Sequence, residues 1–145
     1  MKPVLDLSIQ GLGRFAAMPA RATLLRWVAA ALERDAELVL RFVDAREARR
    51  LNRSFRGRDY APDVLTFEYG QGPARADIVI CPPVVRRGAC ERGRPFRSHL
   101  AHLVVHATLH AQGHVHDRAA AARAMEAREV EILGRLGYSD PYRSS

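Results

Sequence analysis

The sequence has little cysteine, a single lysine and no long hydrophobic run. Cys81 and Cys90 are the two cysteines, too few for the disulfide framework of a small secreted domain, so we expect both to be reduced. The apolar stretches, such as residues 38–40 and 78–81, are far shorter than the roughly 18 residues that a membrane helix needs. The N-terminus lacks the apolar core of a secretory signal, so we expect a cytoplasmic protein that does not span a membrane.

A length of 145 residues fits one domain, residues 1–145, that can bury its own hydrophobic core. Hydrophobic residues make up 48% of the chain and charged residues 27%, a balance that excludes a disordered or collagen-like protein. We find no internal repeat, low-complexity segment or linker.

The charge is basic, with 23 lysines and arginines against 16 acidic residues and a formal net charge of +7. This excess favours an anionic partner such as a nucleic acid. All but Lys2 of the basic residues are arginines, and a guanidinium group can make two parallel hydrogen bonds to one phosphate. Charge alone does not distinguish an RNA-binding protein from a DNA-binding protein or from one whose basic surface is only solvated.

Hydrophobic periodicity predicts strands that alternate with helices. We predict strands at 4–9, 37–43, 64–69 and 77–80, and helices at 20–34, 44–55, 96–113 and from Asp117 to Leu136. Residues 86–95 contain four arginines, two glycines and a proline, which predicts a flexible basic loop. The pattern indicates an α/β (α+β) fold, in which a single layer of about four mostly parallel strands, with room for one antiparallel member, is covered by helices.

All six histidines lie between His99 and His116. His106, His110, Gly113 and His116 form the pattern H-x-x-x-H-x-x-G-x-x-H, in which the first two histidines lie on one helix face, separated by about 6 Å of rise. A further histidine on the same straight helix would lie about 12 Å along the axis, too far to share the ion. Gly113 can adopt the left-handed conformation that turns the chain, so that His116 folds back toward the other two.

Three neutral histidine ligands leave a tetrahedral zinc ion one open position, which is typical of hydrolytic zinc. We therefore predict a metal site at the end of a long central helix. The same spacing occurs in metzincin proteases, but these have a glutamate general base where this chain has Ala107. His99 and His102 could support the ligands or titrate near the substrate.

Five stretches of the chain contain motifs that occur together in one family. Residues 51–57 read L-N-R-S-F-R-G, 63–67 read D-V-L-T-F, and 76–81 read A-D-I-V-I-C. The other two are the histidine motif at 106–116 and the segment G-Y-S-D-P-Y at 137–142. Together they resemble the YbeY family of metal-dependent single-strand endoribonucleases, which act in ribosomal RNA maturation and share the motifs L-N-x-x-F/Y-R-G, D-V-L-S-F and G-D-I-x-I-C/S. Ala76, Ala107, His114 and Val115 depart from the family pattern, whereas the three ligand positions keep histidine.

The resemblance implies an endoribonuclease with one Zn²⁺ ion that cleaves single-stranded RNA, in particular precursors of ribosomal (16S) RNA on or near the ribosome. It carries over His106, His110 and His116 as metal ligands and Arg56 as the functionally important arginine. The arginines at helical spacing before Arg56 could extend a phosphate-binding face or belong to a solvated one: Arg46, Arg49, Arg50 and Arg53. Attack by a metal-bound hydroxide and attack by a ribose 2′-OH both fit these residues.

Two other functions remain compatible with the residues. One is a metal-dependent hydrolase of peptides or small substrates, and the other is a non-catalytic RNA-binding or ribosome-assembly factor with a structural zinc. The sequence indicates no oligomeric state.

Overall fold

The structure, a computed structural model, describes residues 2–70, 73–114 and 118–143. Within these ranges the chain forms four β-strands: β1 (Leu5–Gln10), β2 (Ala36–Phe42), β3 (Val64–Glu68) and β4 (Ala74–Ile80). It also forms a short 3-10 helix (Leu12–Arg14) and five α-helices: α1 (Arg21–Ala30), α2 (Ala45–Arg56), α3 (Pro82–Glu91), α4 (Phe96–Ala111) and α5 (Ala119–Arg135).

The strands form one sheet in the order β1-β2-β4-β3. β1 pairs with β2 and β2 with β4 in parallel, with Leu38 opposite Ala76 in the second pair. β3 pairs with β4 in the antiparallel direction and lies at the edge of the sheet. This mostly parallel α/β sheet confirms the predicted fold class, including one antiparallel strand.

The two faces of the sheet carry hydrophobic cores of unequal size. The larger core joins one face to α1, α3, α4 and α5 and includes Trp27, Leu40, Leu100 and Ile132. The smaller core lies under α2 and includes Leu51, Leu65 and Val79. Since side chains of a strand alternate between faces, β3 turns Leu65 toward α2, and its neighbours Val64 and Thr66 toward α4.

Helix α4 contacts α1, α3, α5 and two strands, so it is the central helix of the larger core. It ends in the predicted glycine turn, since Gly113 has a left-handed backbone with φ of 95°. The Gly113 N–H donates to the His110 carbonyl, and the His114 N–H donates to the Leu109 carbonyl. These two hydrogen bonds are those of a Schellman motif, and they confirm the helix end inferred from Gly113.

The predicted flexible loop at 86–95 is wrong, because most of it belongs to helix α3. Pro82 and Pro83 follow the predicted strand at 77–80 and are compatible with its end, but they form the first turn of α3. Proline fits there because its missing N–H would have no partner within the helix. Val85 and Ala89 are buried on one face of α3. In addition, β4 begins three residues earlier than predicted, at Ala74.

The predicted start of the last helix, at Asp117, lies outside the described residues. None of the helices in the described ranges combines the length and hydrophobicity that crossing a membrane would require.

Candidate active site

A cleft of about 750 Å³ bends around the edge strand β3 and contacts both sides of the sheet. On the α4 side it is lined by His106, Ala107 and His110, and on the α2 side by Phe55 and Arg56. This shape is possible because β3 is the edge of the sheet, so no further strand separates the α2 side of the cleft from the α4 side. The cleft therefore brings together the first two predicted metal ligands and the arginine implied by the family resemblance.

The two cleft histidines lie one turn apart on α4, and each has a carboxylate beside its Nδ1 atom. Nδ1 of His106 lies 3.1 Å from Oε2 of Glu129. Nδ1 of His110 lies 3.1 Å from Oε1 of Glu68, at the end of β3. His116, the third predicted ligand, lies outside the described residues, so the three-histidine ligand set stays a prediction.

Glu129 of α5 is fully buried and accepts three hydrogen bonds. Its Oε1 atom accepts from Nε2 of His102 at 2.8 Å and from the Tyr142 hydroxyl at 2.7 Å, and its Oε2 atom accepts from His106. Burial raises the pKa of Glu129, but these three hydrogen bonds outweigh burial and lower the pKa to about 2. A buried carboxylate with several donors is stabilised in its charged form.

The ligand atoms of His102, His106 and Glu129 all lie within 4.8 Å of one another, so this group could hold a metal ion. His106 thus belongs to two candidate sites: the predicted one with His110, and this one on the other side of its ring. Sequence analysis missed Glu129, because it lies 23 residues from His106 on a different helix. The supporting role considered for His102 agrees with its contact to Glu129.

His99, the other histidine considered for a supporting role, is 3% exposed. Neither of its ring nitrogens has a hydrogen-bond partner in the described part of the chain. Burial lowers the pKa of His99 to about 4, and the nearby positive charge of Arg92 contributes to this shift. We therefore place His99 in the core rather than at the cleft.

Arg56 is the last residue of α2, and local signals in the sequence fix where this helix begins and ends. The Asp44 side chain accepts a hydrogen bond from the Glu47 N–H at 2.8 Å, which caps the start of the helix. Gly57 follows Arg56 with a left-handed φ of 68° and ends the helix. Arg56 is exposed and lines the cleft.

The other four arginines suggested for substrate binding are not among the residues that line the cleft in the described structure: Arg46, Arg49, Arg50 and Arg53. Arg49 makes two hydrogen bonds to Asp59, and Arg53 lies 3.7 Å from the same carboxylate. Arg50 lies 3.9 Å from Glu47.

Two cleft residues were missed by sequence analysis. Arg41 lines the cleft from β2, 2.6 Å from Glu47, and Phe55 is 68% exposed beside Phe67. The exposure of Phe55 has no sequence signal, because Phe55 continues the helical spacing of Ala48 and Leu51, which are buried.

Comparison with known proteins gives the context for this cleft. The model of the family described as Endoribonuclease YbeY matches residues 18–137. The chain belongs to the YbeY family. A protein named endoribonuclease YbeY from Thiobacillus denitrificans is 52% identical, over 99% of this chain and 100% of the relative. One of the same name from Cupriavidus pinatubonensis is 50% identical, over 97% of this chain and 73% of the relative.

The YbeY-like fold also has a counterpart among solved structures. The solution structure of TM1509 from Thermotoga maritima superposes with a TM-score of 0.58 at 25% identity, covering 95% of this chain and 99% of that one. These similarities confirm the family resemblance inferred from the five sequence motifs.

Proposed function

We propose that this chain is a metal-dependent endoribonuclease that cleaves single-stranded RNA in the cleft between α2 and α4. The observation that carries the proposal is the presence of two adjacent histidines and Arg56 in one cleft, in a chain about half identical to proteins named endoribonuclease. We further propose that residues 1–145 act as one metallohydrolase domain in the cytoplasm, on precursors of ribosomal (16S) RNA at or near the ribosome.

The proposed cofactor is one zinc ion held by His106, His110 and His116. The donor chemistry fits, because neutral imidazoles are good zinc ligands and because both described histidines have a carboxylate near the second ring nitrogen. When bound, such an ion polarises a phosphoryl oxygen and lowers the pKa of a coordinated water.

The α2 side of the cleft supplies the groups that would bind the RNA. The guanidinium of Arg56 can donate two hydrogen bonds to a phosphate and stabilise the negative charge that develops on it. The exposed ring of Phe55 offers a surface for stacking a base. Unpaired bases are accessible for such stacking, which is why the cleft favours single strands over duplexes.

One residue, Ala107, disfavours the alternative function of peptide hydrolysis. Ala107 lines the cleft between the two histidines, where the metzincin pattern requires a glutamate that carries a proton. Its methyl group cannot transfer protons. A purely structural zinc is disfavoured by the size of the larger hydrophobic core, which includes side chains from the sheet and from α1, α3, α4 and α5.

The test is cleavage of a labelled single-stranded RNA by zinc-loaded protein, beside the same RNA in a duplex. We expect the single strand to be cut, the duplex to survive, and chelation or His110→Ala to abolish cleavage. Equal cleavage by wild type and His110→Ala would contradict the proposal. The end groups of the products would distinguish a water nucleophile from the ribose 2′-OH.

A further inference from the structure

We propose that Glu129 is a positioning residue that fixes the tautomer of His106, so that Nε2 of His106 faces the metal, and that Glu129 is not itself a ligand. This inference rests on the proposed function, since it assumes a metal ion in the cleft. It assigns a role to a carboxylate that lies on a different helix from the histidines.

The first step concerns the hydrogen bonds of the carboxylate. An ionised carboxylate can accept hydrogen bonds but cannot donate them. Because Oε2 of Glu129 lies 3.1 Å from Nδ1 of His106 in hydrogen-bond geometry, the proton of the neutral ring lies on Nδ1. Nε2, on the far side of the ring, then carries the lone pair that can coordinate an ion.

The second step concerns which side of the His106 ring faces the cleft. His106 lines the cleft together with His110, whereas His102 and Glu129 are not among the cleft residues in the described structure. Glu129 is fully buried, so an ion bound to it would lie behind His106 and would not face the cleft. A metal ion that acts on substrate therefore belongs on the Nε2 side of His106.

The third step explains how Glu129 is held in place. His102 Nε2 and the Tyr142 hydroxyl both donate to Oε1, and these two groups lie 3.1 Å apart. The three hydrogen bonds satisfy both carboxylate oxygens, so ligation of a metal by Glu129 would require losing part of this network. A buried carboxylate that keeps all its donors is rigid, and its partner ring has one orientation.

The direct test is the tautomer of His106 in the metal-free wild-type protein, measured at mildly basic pH by long-range ¹H–¹⁵N NMR of the imidazoles. We expect the Nδ1–H tautomer, with Nε2 unprotonated. In Glu129→Gln the amide can donate to Nδ1, so we expect a shift toward Nε2–H. The control Glu126→Gln, one turn earlier and exposed on α5, should leave the spectrum unchanged. An Nε2–H tautomer in the wild type would overturn the inference, whether or not the variant folds.

The second readout is zinc affinity, measured by competition with a chelator. Loss of such an orienting contact typically weakens metal binding about 10- to 100-fold, and we expect this for Glu129→Gln, with Glu126→Gln within about twofold of wild type. Unchanged affinity in Glu129→Gln would contradict the inference. If Glu129→Gln does not fold, Tyr142→Phe serves instead, because it removes one hydrogen-bond donor to Glu129. We expect Tyr142→Phe to weaken zinc binding severalfold, and unchanged zinc affinity in this variant would contradict the inference.

Two further variants separate this inference from its competitor and from the proposed function. We expect His110→Ala to lose zinc binding and His102→Gln to keep it within about tenfold. The reverse pattern would make His102, His106 and Glu129 the metal site and overturn the inference. A wild type that binds zinc with the expected tautomer but cleaves no RNA would instead contradict the proposed function alone.

Discussion

The two sides of the cleft differ in how deeply their side chains are buried and in which groups hold them in place. On the α4 side, His106 and His110 are partly buried, and each lies beside a carboxylate from a different element of the fold. On the α2 side, Arg56 and Phe55 are exposed and lie at the end of a helix. Glu129 of α5 hydrogen-bonds to His106, and Glu68 lies beside His110. On the α2 side, Phe55 contacts the neighbouring ring of Phe67, and Arg56 is positioned by the end of its helix.

This difference matches what each side would bind. Metal ligation requires ligand atoms within a few tenths of an ångström of their ideal positions, and hydrogen-bonded partners provide that precision. A phosphate on a flexible single strand does not impose such a requirement, and a long arginine side chain can adjust to it. We therefore expect variants on the α4 side to alter metal affinity, and variants on the α2 side to alter RNA turnover without altering metal affinity.

The largest expected effect on the α2 side is that of Arg56→Ala. Removing one donor that stabilises charge in a transition state typically costs about 10²-fold in rate, and we expect a loss of this order in kcat/KM for single-stranded RNA. Zinc affinity should stay within twofold of wild type. Arg56→Lys should recover part of the loss, because lysine keeps the charge but not the paired hydrogen bonds.

The matched control is Arg26→Ala, an exposed arginine on α1, next to the opposite edge of the sheet. It removes the same charge far from the cleft and should leave kcat/KM nearly unchanged. Equal losses in the two variants would mean that net charge, and not the position of Arg56, controls turnover.

His99 lies on the same helix as the two cleft histidines and provides a comparison with them, because it is buried without a hydrogen-bond partner in the described structure. Its pKa is about 4 in the folded protein and about 6.5 in an unfolded chain. Protons therefore bind more readily to the unfolded state, so the stability from neutral His99 is complete above pH 6.5 and is lost as the pH falls toward 4.

Between pH 7.5 and 5.5 this linkage should cost about 1 kcal/mol, measured as the free energy of unfolding in urea. His99→Leu removes the titrating group and should reduce the pH dependence by that amount. A pH dependence identical in wild type and variant would show that His99 is protonated equally in both states.

The fold was predictable where a local pattern carries the information. The apolar spacing along α4, the start of the second helix at Asp44 and the turn at Gly113 all depend on signals within a few residues, and each was confirmed. Glu129 and Glu68 were not predictable in this way, because their contacts with the histidines depend on how α5 and β3 pack against α4. Helix α3 was missed because proline is compatible with both the end of a strand and the first turn of a helix.

A smaller effect concerns the salt dependence of RNA binding. For single strands, the slope of log affinity against log salt is about −0.7 for each phosphate neutralised. If Arg41 and Arg56 each contact one phosphate, affinity should fall about sevenfold between 50 and 200 mM salt. The measurement is binding of a non-cleavable RNA to metal-free protein. Arg56→Ala should make the slope shallower by about 0.7, and an unchanged slope would exclude a phosphate contact at this residue.

The smallest effects are expected from the arginines that already pair with acidic residues on the surface. Arg49→Ala and Arg53→Ala should change kcat/KM by less than about twofold, since Asp59 is the partner of both side chains. Asp59→Asn would remove the acidic partner of both arginines. A clear gain in RNA affinity in this variant would show that the binding surface extends along α2.

The central claim is that a single metal ion in this cleft is required for RNA cleavage. The most direct measurement is a titration of zinc into metal-free protein, with the initial rate of single-strand cleavage recorded at each step. We predict a rate that rises linearly and reaches a plateau at one zinc per chain, with no rise in His110→Ala. Cleavage by the metal-free protein, or a rise that persists in His110→Ala, would contradict this claim.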